Sequence, residues 1–213
     1  MPEATTNTRE ASLSRIRVTN PTADAAARVS EYQAIERAYQ QSAAMDRASI
    51  IRTFIERLHE YDANVTETSV DGISAAIAKI LNTHSQKSTV IADSFKQQFL
   101  PADLHCVRES QITKEQLNTI EGAISECEVA IAHTGTIIIR GSRQITLLPD
   151  RYLCVVYENQ VVETVPEAIA VLGKFAAEPL TFISGPSATA DIEMTRIRGV
   201  HGPRILDVVL IRD

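Results

Sequence analysis

The chain has 213 residues, 44% of them apolar and 23% charged, and its 21 Lys+Arg against 27 Asp+Glu leave a net charge of -6. These proportions exclude a disordered or collagenous chain, and the mild acidity speaks against a nucleic-acid partner, which needs a concentrated basic stripe. No apolar run approaches the ~18 to 20 residues of a membrane span, and Met1-Pro2-Glu3-Ala4 opens no signal peptide, so a cytoplasmic protein is expected.

Residues 1–27 are rich in Thr, Ala, Asn and Arg without a sustained apolar period. They read as a flexible N-terminal arm, and residues 28–213 as a single α/β domain. Tyr32, Ile35 and Tyr39, then Ile50, Ile51, Phe54, Ile55 and Leu58, recur at helical spacing, with Asp46 as the N-cap between two helices. Strands are expected at Val65–Thr68, Thr89–Ala92 and Leu104–Val107, with helices from Gly72 to Leu81 and from Thr113 to Ile120. Further on, Val129–Ala132 and Thr136–Ile139 flank His133-Thr134-Gly135, and Tyr152–Tyr157 forms another strand. A helix from Pro166 to Phe175 follows, and Leu180–Ile183 and Leu206–Ile211 close the sheet. Near-continuous apolar strands suit a sheet covered on both faces. The expected fold is three-layer α/β, an open and mostly parallel sheet with N-terminal helices.

Cys106, Cys127 and Cys154 form no C-x-x-C pair. Their odd number and wide spacing fit neither a disulfide framework nor a metal site. Iron–sulfur clusters draw on grouped cysteines, so the chain is expected to carry no metal or cofactor of its own.

Six of the eight glycines follow residue 134, which directs the search for a site to the second half. Two segments stand out: His133-Thr134-Gly135-Thr136, after a strand, and Ser184-Gly185-Pro186-Ser187-Ala188-Thr189-Ala190-Asp191-Ile192-Glu193, a strand end expected to run into a helix. Ser187 or Thr189 would cap that helix, and Asp191 and Glu193 would sit in its first turn, where the macrodipole favours them. The loop matches neither the dinucleotide fingerprint nor the P-loop.

Gly185-Pro186-Ser187-Ala188-Thr189-Ala190-Asp191-Ile192-Glu193, then Gly199-Val200-His201-Gly202-Pro203 and the Leu206–Leu210 strand, resemble the LUD (lactate-utilisation) domain family, as do Ala130–Thr136 and Leu147–Asp150. The resemblance implies an open α/β sheet of the NagB/RpiA/CoA-transferase type. It also implies a role beside two iron–sulfur lactate-utilisation proteins that oxidise L-lactate to pyruvate, with the clusters in those partners. This chain would then be an accessory or regulatory subunit. Two alternatives stay open: a free-standing CoA-transferase-like enzyme, and a module that binds an anionic small molecule. Relatives of this fold class often carry a carboxylate before the Thr-Gly pair where His133 stands here, so no catalytic nucleophile is assigned.

His133 reads either as a proton shuttle or as a hydrogen-bonded structural residue. His201 orients its turn or faces the Gly185 loop. Arg140, Arg143 and Arg151 offer guanidinium groups to a carboxylate or remain solvated. The expected cleft lies where Thr134-Gly135-Thr136 meets Gly185-Pro186-Ser187 near His201, at the carboxyl ends of strands. There the hydroxyls of Thr134, Ser187 and Thr189 and the loop N–H groups would receive an oxyanion, Gly185 would admit it to the backbone, and Asp191 would fix the loop.

Overall fold

A computed structural model describes residues 8–19, 25–141, 143–175, 177–190, 196–199 and 201–212. They fall into two compact units, Met1–Tyr39 and Gln40–Asp213. The first holds helices α1 (Thr8–Thr19) and α2 (Ala25–Ala34). No residue of α1 is buried, which matches the lack of apolar periodicity there.

The second unit runs through α3 (Arg47–Glu60), β1 (Asn64–Thr68), α4 (Ile73–Thr83), β2 (Thr89–Ile91), β3 (Cys106–Arg108), α5 (Lys114–Leu117) and β4 (Gly122–Glu126). It continues with β5 (Val129–Ile131), β6 (Thr136–Arg140), α6 (Gln144–Leu147), β7 (Arg151–Tyr157), β8 (Val161–Val162), α7 (Val165–Leu172) and β9 (Leu180–Ile183). A ribbon of β10 (Ala188–Ala190) and β11 (Arg196–Arg198) precedes β12 (Ile205–Ile211). Asp46 caps α3 by accepting from the Ser49 N–H at 3.0 Å. The Thr113 and Thr164 capping boxes start α5 and α7.

Six strands form one parallel sheet in the order β1-β12-β7-β4-β2-β3, so the α/β expectation holds. Alternate residues divide its two faces. Ile91, Ile124, Leu153, Val155 and Val209 pack under α4, together with Phe95 and Phe99. Val90, Ala123, Tyr152, Cys154 and Val208 face the other way, against Ile50, Ile51, Phe54 and Leu58 of α3. Phe54 is fully buried, worth about 1.5–3 kcal/mol of transfer free energy.

Leu180–Ile183 does not close this sheet. It is an edge of a second, four-stranded sheet, β8-β5-β6-β9, in which β6 runs antiparallel to both β5 and β9. The physical reason is the four-residue turn 132–135, too short for the crossover that parallel neighbours need. The second sheet turns Ala130, Ile137 and Ile139 toward the core shared with α3. Its outer residues Val129, Ile131 and Ile138 meet Ala168 and Leu172 of α7.

β12 is interior, paired with β1 on one side and β7 on the other. It carries one buried charge, Asp207, whose carboxylate accepts from Asn64 Nδ2 at 3.0 Å and meets His84 Nε2 at 3.1 Å. Burial pushes its pKa up, against the pull of Asn64 and His84. A raised folded-state pKa means the folded chain holds this proton longer than the unfolded one. The associated stability is complete below the ordinary carboxylate value and is lost as pH rises through the folded value. Asp207→Asn removes that loss. Urea melts from about pH 3.5 to pH 5.5 should show the variant gaining on wild type as pH rises; a difference that stays constant or shrinks contradicts this.

Candidate functional site

A polar cavity of about 310 Å³ is bordered by Ser184-Gly185-Pro186-Ser187, by His201-Gly202-Pro203 and by Arg143 and Thr146. Tyr152 and Leu206 also line it, and each is the second residue of its strand. The cavity therefore lies at the amino ends of β7 and β12, not at the carboxyl ends of the parallel strands as expected. The reason is topological: the Gly185 loop leaves the second sheet, and its end falls beside the segments that enter β7 and β12.

The Gly185 loop does not open a helix at residues 188–190. Residues 188–190 are a strand, with Thr189 opposite Ile197. Ser187 N–H donates to Pro203 O at 2.8 Å, and Gly199 N–H donates to Ser187 O at 2.9 Å. These partners hold the backbone extended, where Thr is at home, so no side-chain cap is needed and the Ser187 N–H is not open to an anion. Asp191 and Glu193 lie outside the described residues.

Gly185 has φ +83°, and a Cβ there would lie 2.6 Å from Tyr61 Cβ and from Tyr61 O. Gly135, at φ +58°, meets Arg57 Cβ at 2.8 Å by the same construction. Both glycines thus permit close packing on the last turn of α3. Gly185 thus borders the cavity and packs on Tyr61 at once.

The two loops do meet. Thr136 Oγ1 lies 2.8 Å from Ser184 Oγ and 2.7 Å from Thr134 Oγ1, a chain of three hydroxyls running from one loop to the other. His133 turns elsewhere: its Nε2 lies 3.4 Å from Glu163 Oε1. Glu163 is buried and accepts from the N–H groups of Ala44 and Met45 at 2.7 and 2.8 Å and from Gln40 Nε2 at 3.0 Å. The Met45 N–H, first among these donors, holds its carboxyl below the usual range. Glu163 was missed in the sequence, although the adjacent T-x-x-E box, Thr164 to Glu167, was readable there.

Of the three arginines, Arg140 is bound to Glu128 and Glu178 at 3.0 and 2.9 Å and stacks on Phe175. Arg151 leans toward Glu121 at 3.9 Å. Arg143 is exposed at the cavity, with no ion-pair partner among the described residues. Arg143 and His201 line a cavity whose described walls contain no Asp or Glu, in a chain of net charge -6. Thr181, Ser184 and Ser187 add hydroxyls, while the Thr146 hydroxyl is already donated to Arg143 O at 2.9 Å. The Tyr152 hydroxyl is already bound to Ser125 at 2.6 Å, and burial pushes its pKa well up. The arrangement can hold a small anion by a guanidinium, an imidazole and hydroxyl donors. Thr146 and Thr181 had no distinguishing sequence signal, whereas Ser184 heads the glycine segment picked out in the sequence.

The cysteines cannot share a metal. Cys127 and Cys154 lie in the core on the α3 side of the sheet, while Cys106 packs on the α4 side. Burial pushes the Cys154 thiol well up, which leaves it unreactive. Among the described residues no group of three His, Cys, Asp or Glu side chains is placed to hold a metal.

Replacing Gly185 with Ala forces a side chain into the left-handed region and against Tyr61. A stability loss of about 1–3 kcal/mol is expected, read as a fall of several degrees in the thermal midpoint. An unchanged midpoint would show that the loop can lift from α3 at no cost.

Residues 9–211 match the family described as LUD domain. Lactate utilization protein C of Deinococcus radiodurans is 35% identical over 181 residues, covering 81% of this chain and 84% of that protein. The protein of the same name in Halalkalibacterium halodurans is 24% identical over 183 residues, 77% of this chain and 80% of its own length. A crystal structure of a DUF162 family protein from Deinococcus radiodurans superposes with a TM-score of 0.68 at 31% identity, covering 79% of this chain and 99% of that one.

Proposed function

This chain belongs to the LUD domain family, and from that premise we propose that it serves lactate utilisation as an accessory or regulatory subunit beside iron–sulfur proteins that oxidise L-lactate to pyruvate. The observation that carries the lactate role is the 35% identity to a lactate utilization protein C over four-fifths of both chains. The separation of the three thiols across two sheet faces supports clusters held by partners rather than by this chain. The matching chemistry is then division of labour: the partners move electrons, and this subunit binds and orients.

A second reading rests on the cavity. Arg143, His201 and the hydroxyls around them suit an anionic small molecule, so the subunit can report or gate on a metabolite. A CoA-transferase-like reaction is less well supported. At the position where a carboxylate would serve, the chain has His133, held by Glu163.

The test is affinity capture of the tagged full chain from lactate-grown cells, followed by iron analysis of the eluate. Co-purifying proteins with cluster absorbance are expected, together with an iron-free chain when it is purified alone. A chain that elutes by itself from such extracts, with no iron above background, overturns the subunit reading. Arg143→Gln should leave this capture intact while weakening any anion that the cavity holds, measured by calorimetry with L-lactate and pyruvate.

A further inference from the structure

The cavity bordered by Arg143 and His201, of about 310 Å³, has the volume of roughly ten waters at ~30 Å³ each. A three-carbon acid leaves much of that room unfilled. The walls are also unequal in kind. The charged or polar side chains of Arg143, His201 and Ser184 are exposed. Tyr152 and Leu206 lie sealed behind the wall, at 1% exposure each, so the apolar surface that a ligand meets belongs to their neighbours. It comes from Leu147, Ile183, Pro186 and Pro203, all half-buried. Phe182, on the edge strand β9, stays 50% exposed at the same cavity. A ring left half in water keeps apolar area that a ligand can still cover.

Charge limits the other end of the ligand. Arg143 is the one permanent cation in the described lining, and no described carboxylate opposes it. A guanidinium matches a single carboxylate as a two-bond fork. A doubly charged phosphate ester would meet the same single cation, in a chain of net charge -6. The hydroxyls of Thr181, Ser184 and Ser187 can assist the guanidinium but bring no charge. The walls therefore suit a molecule with one negative charge at its exposed end and an apolar body of appreciable size.

We infer that this cavity selects a monocarboxylate whose apolar body carries an aromatic ring, in preference to a short hydroxy or oxo acid. The inference rests on the reading of the cavity as an anion site and adds the kind of molecule that it takes. The ligand carboxylate pairs with Arg143 at the exposed side. The ring lies against Leu147 and the flat faces of the two prolines, with Phe182 offset beside it. A subunit built in this way responds to an aromatic acid, and its signal is separate from the substrate and product of lactate oxidation.

The experiment is calorimetry and amide NMR on the full chain, with phenylacetate, phenylacetamide, acetate and L-lactate as probes. Phenylacetate is expected to bind at least about tenfold tighter than acetate and L-lactate, which lack the ring, and than phenylacetamide, which lacks the charge. Its saturable shifts should include the amides of Leu147, Phe182 and Ile183 as well as those of Arg143 and His201. Phe182→Ala, altered at an exposed side chain, should weaken phenylacetate about fivefold and leave acetate unchanged. Arg143→Gln, also altered at an exposed side chain, should bring phenylacetate down to the level of phenylacetamide and leave phenylacetamide unchanged. Acetate or L-lactate binding as tightly as phenylacetate, and losing that affinity in Arg143→Gln, would overturn the inference while keeping the anion site. Wild-type phenylacetate affinity in Phe182→Ala would do the same. Equal phenylacetate affinity in wild type and Arg143→Gln, or no saturable shifts at these residues with any probe by about 50 mM, would overturn both.

Discussion

The last turn of α3 is the seat on which both glycine loops rest. Arg57 and Tyr61 come so close to Gly135 and Gly185 that neither position has room for a Cβ. Because Phe54 and Leu58 anchor the same helix in the core, the loops inherit their position from the parallel sheet beneath it. The hydroxyl chain Thr134–Thr136–Ser184 then ties one loop to the other at hydrogen-bond length. Much of the specificity of this region is therefore spent on steric contact rather than on ligand recognition. The groups left to recognise a ligand, Arg143 and His201, come from segments that lead into β7 and β12.

A second level of order comes from the alternation of side chains along β7 and β12. Tyr152, Cys154 and Val156 face α3 and the second sheet, and Leu153 and Val155 face α4. Two cores are thus built from one run of residues, which is why such strands read as continuous apolar stretches. The same alternation places Asp207 on the α4 side, where Asn64 and His84 bond its buried carboxylate. It also sets Cys106 on the opposite face from Cys127 and Cys154, which share one core.

Much of the architecture was legible because it follows from period and capping. Asp46, the Thr113 turn and the apolar strands at 89–92, 152–157 and 206–211 declare themselves locally. β4 was overlooked because Gly122-Ala123-Ile124-Ser125-Glu126 mixes small and polar residues, although it lies near the centre of the sheet. The split into two sheets was hidden for a different reason: pairing of β9 with β6 depends on residues forty or more positions apart. The Ser187–Ala190 segment was misread as a helix start, since capping residues and turn residues are the same types. Only the long-range bonds to Pro203 and Gly199 decide between the two. At the site, His201 and the Gly185 loop were visible as a motif. The position of Glu163 depends on tertiary packing that no local pattern reports.

The interior place of β12 bears on how the molecule reaches its native state. Asn64 and Asp207 are joined across 143 positions of chain, and β12 must enter between β1 and β7 before the edge strand β1 has its one neighbour or β7 its second. Pairings of such long range are slow to form, because loop closure comes before the contacts that reward it. Until β12 arrives, the facing sides of β1 and β7 are open ladders of N–H and C=O groups, free to take up a strand from another molecule. The vulnerable species is thus a sheet with a slot in its middle, and kinetic competition for that slot separates correct folding from aggregation.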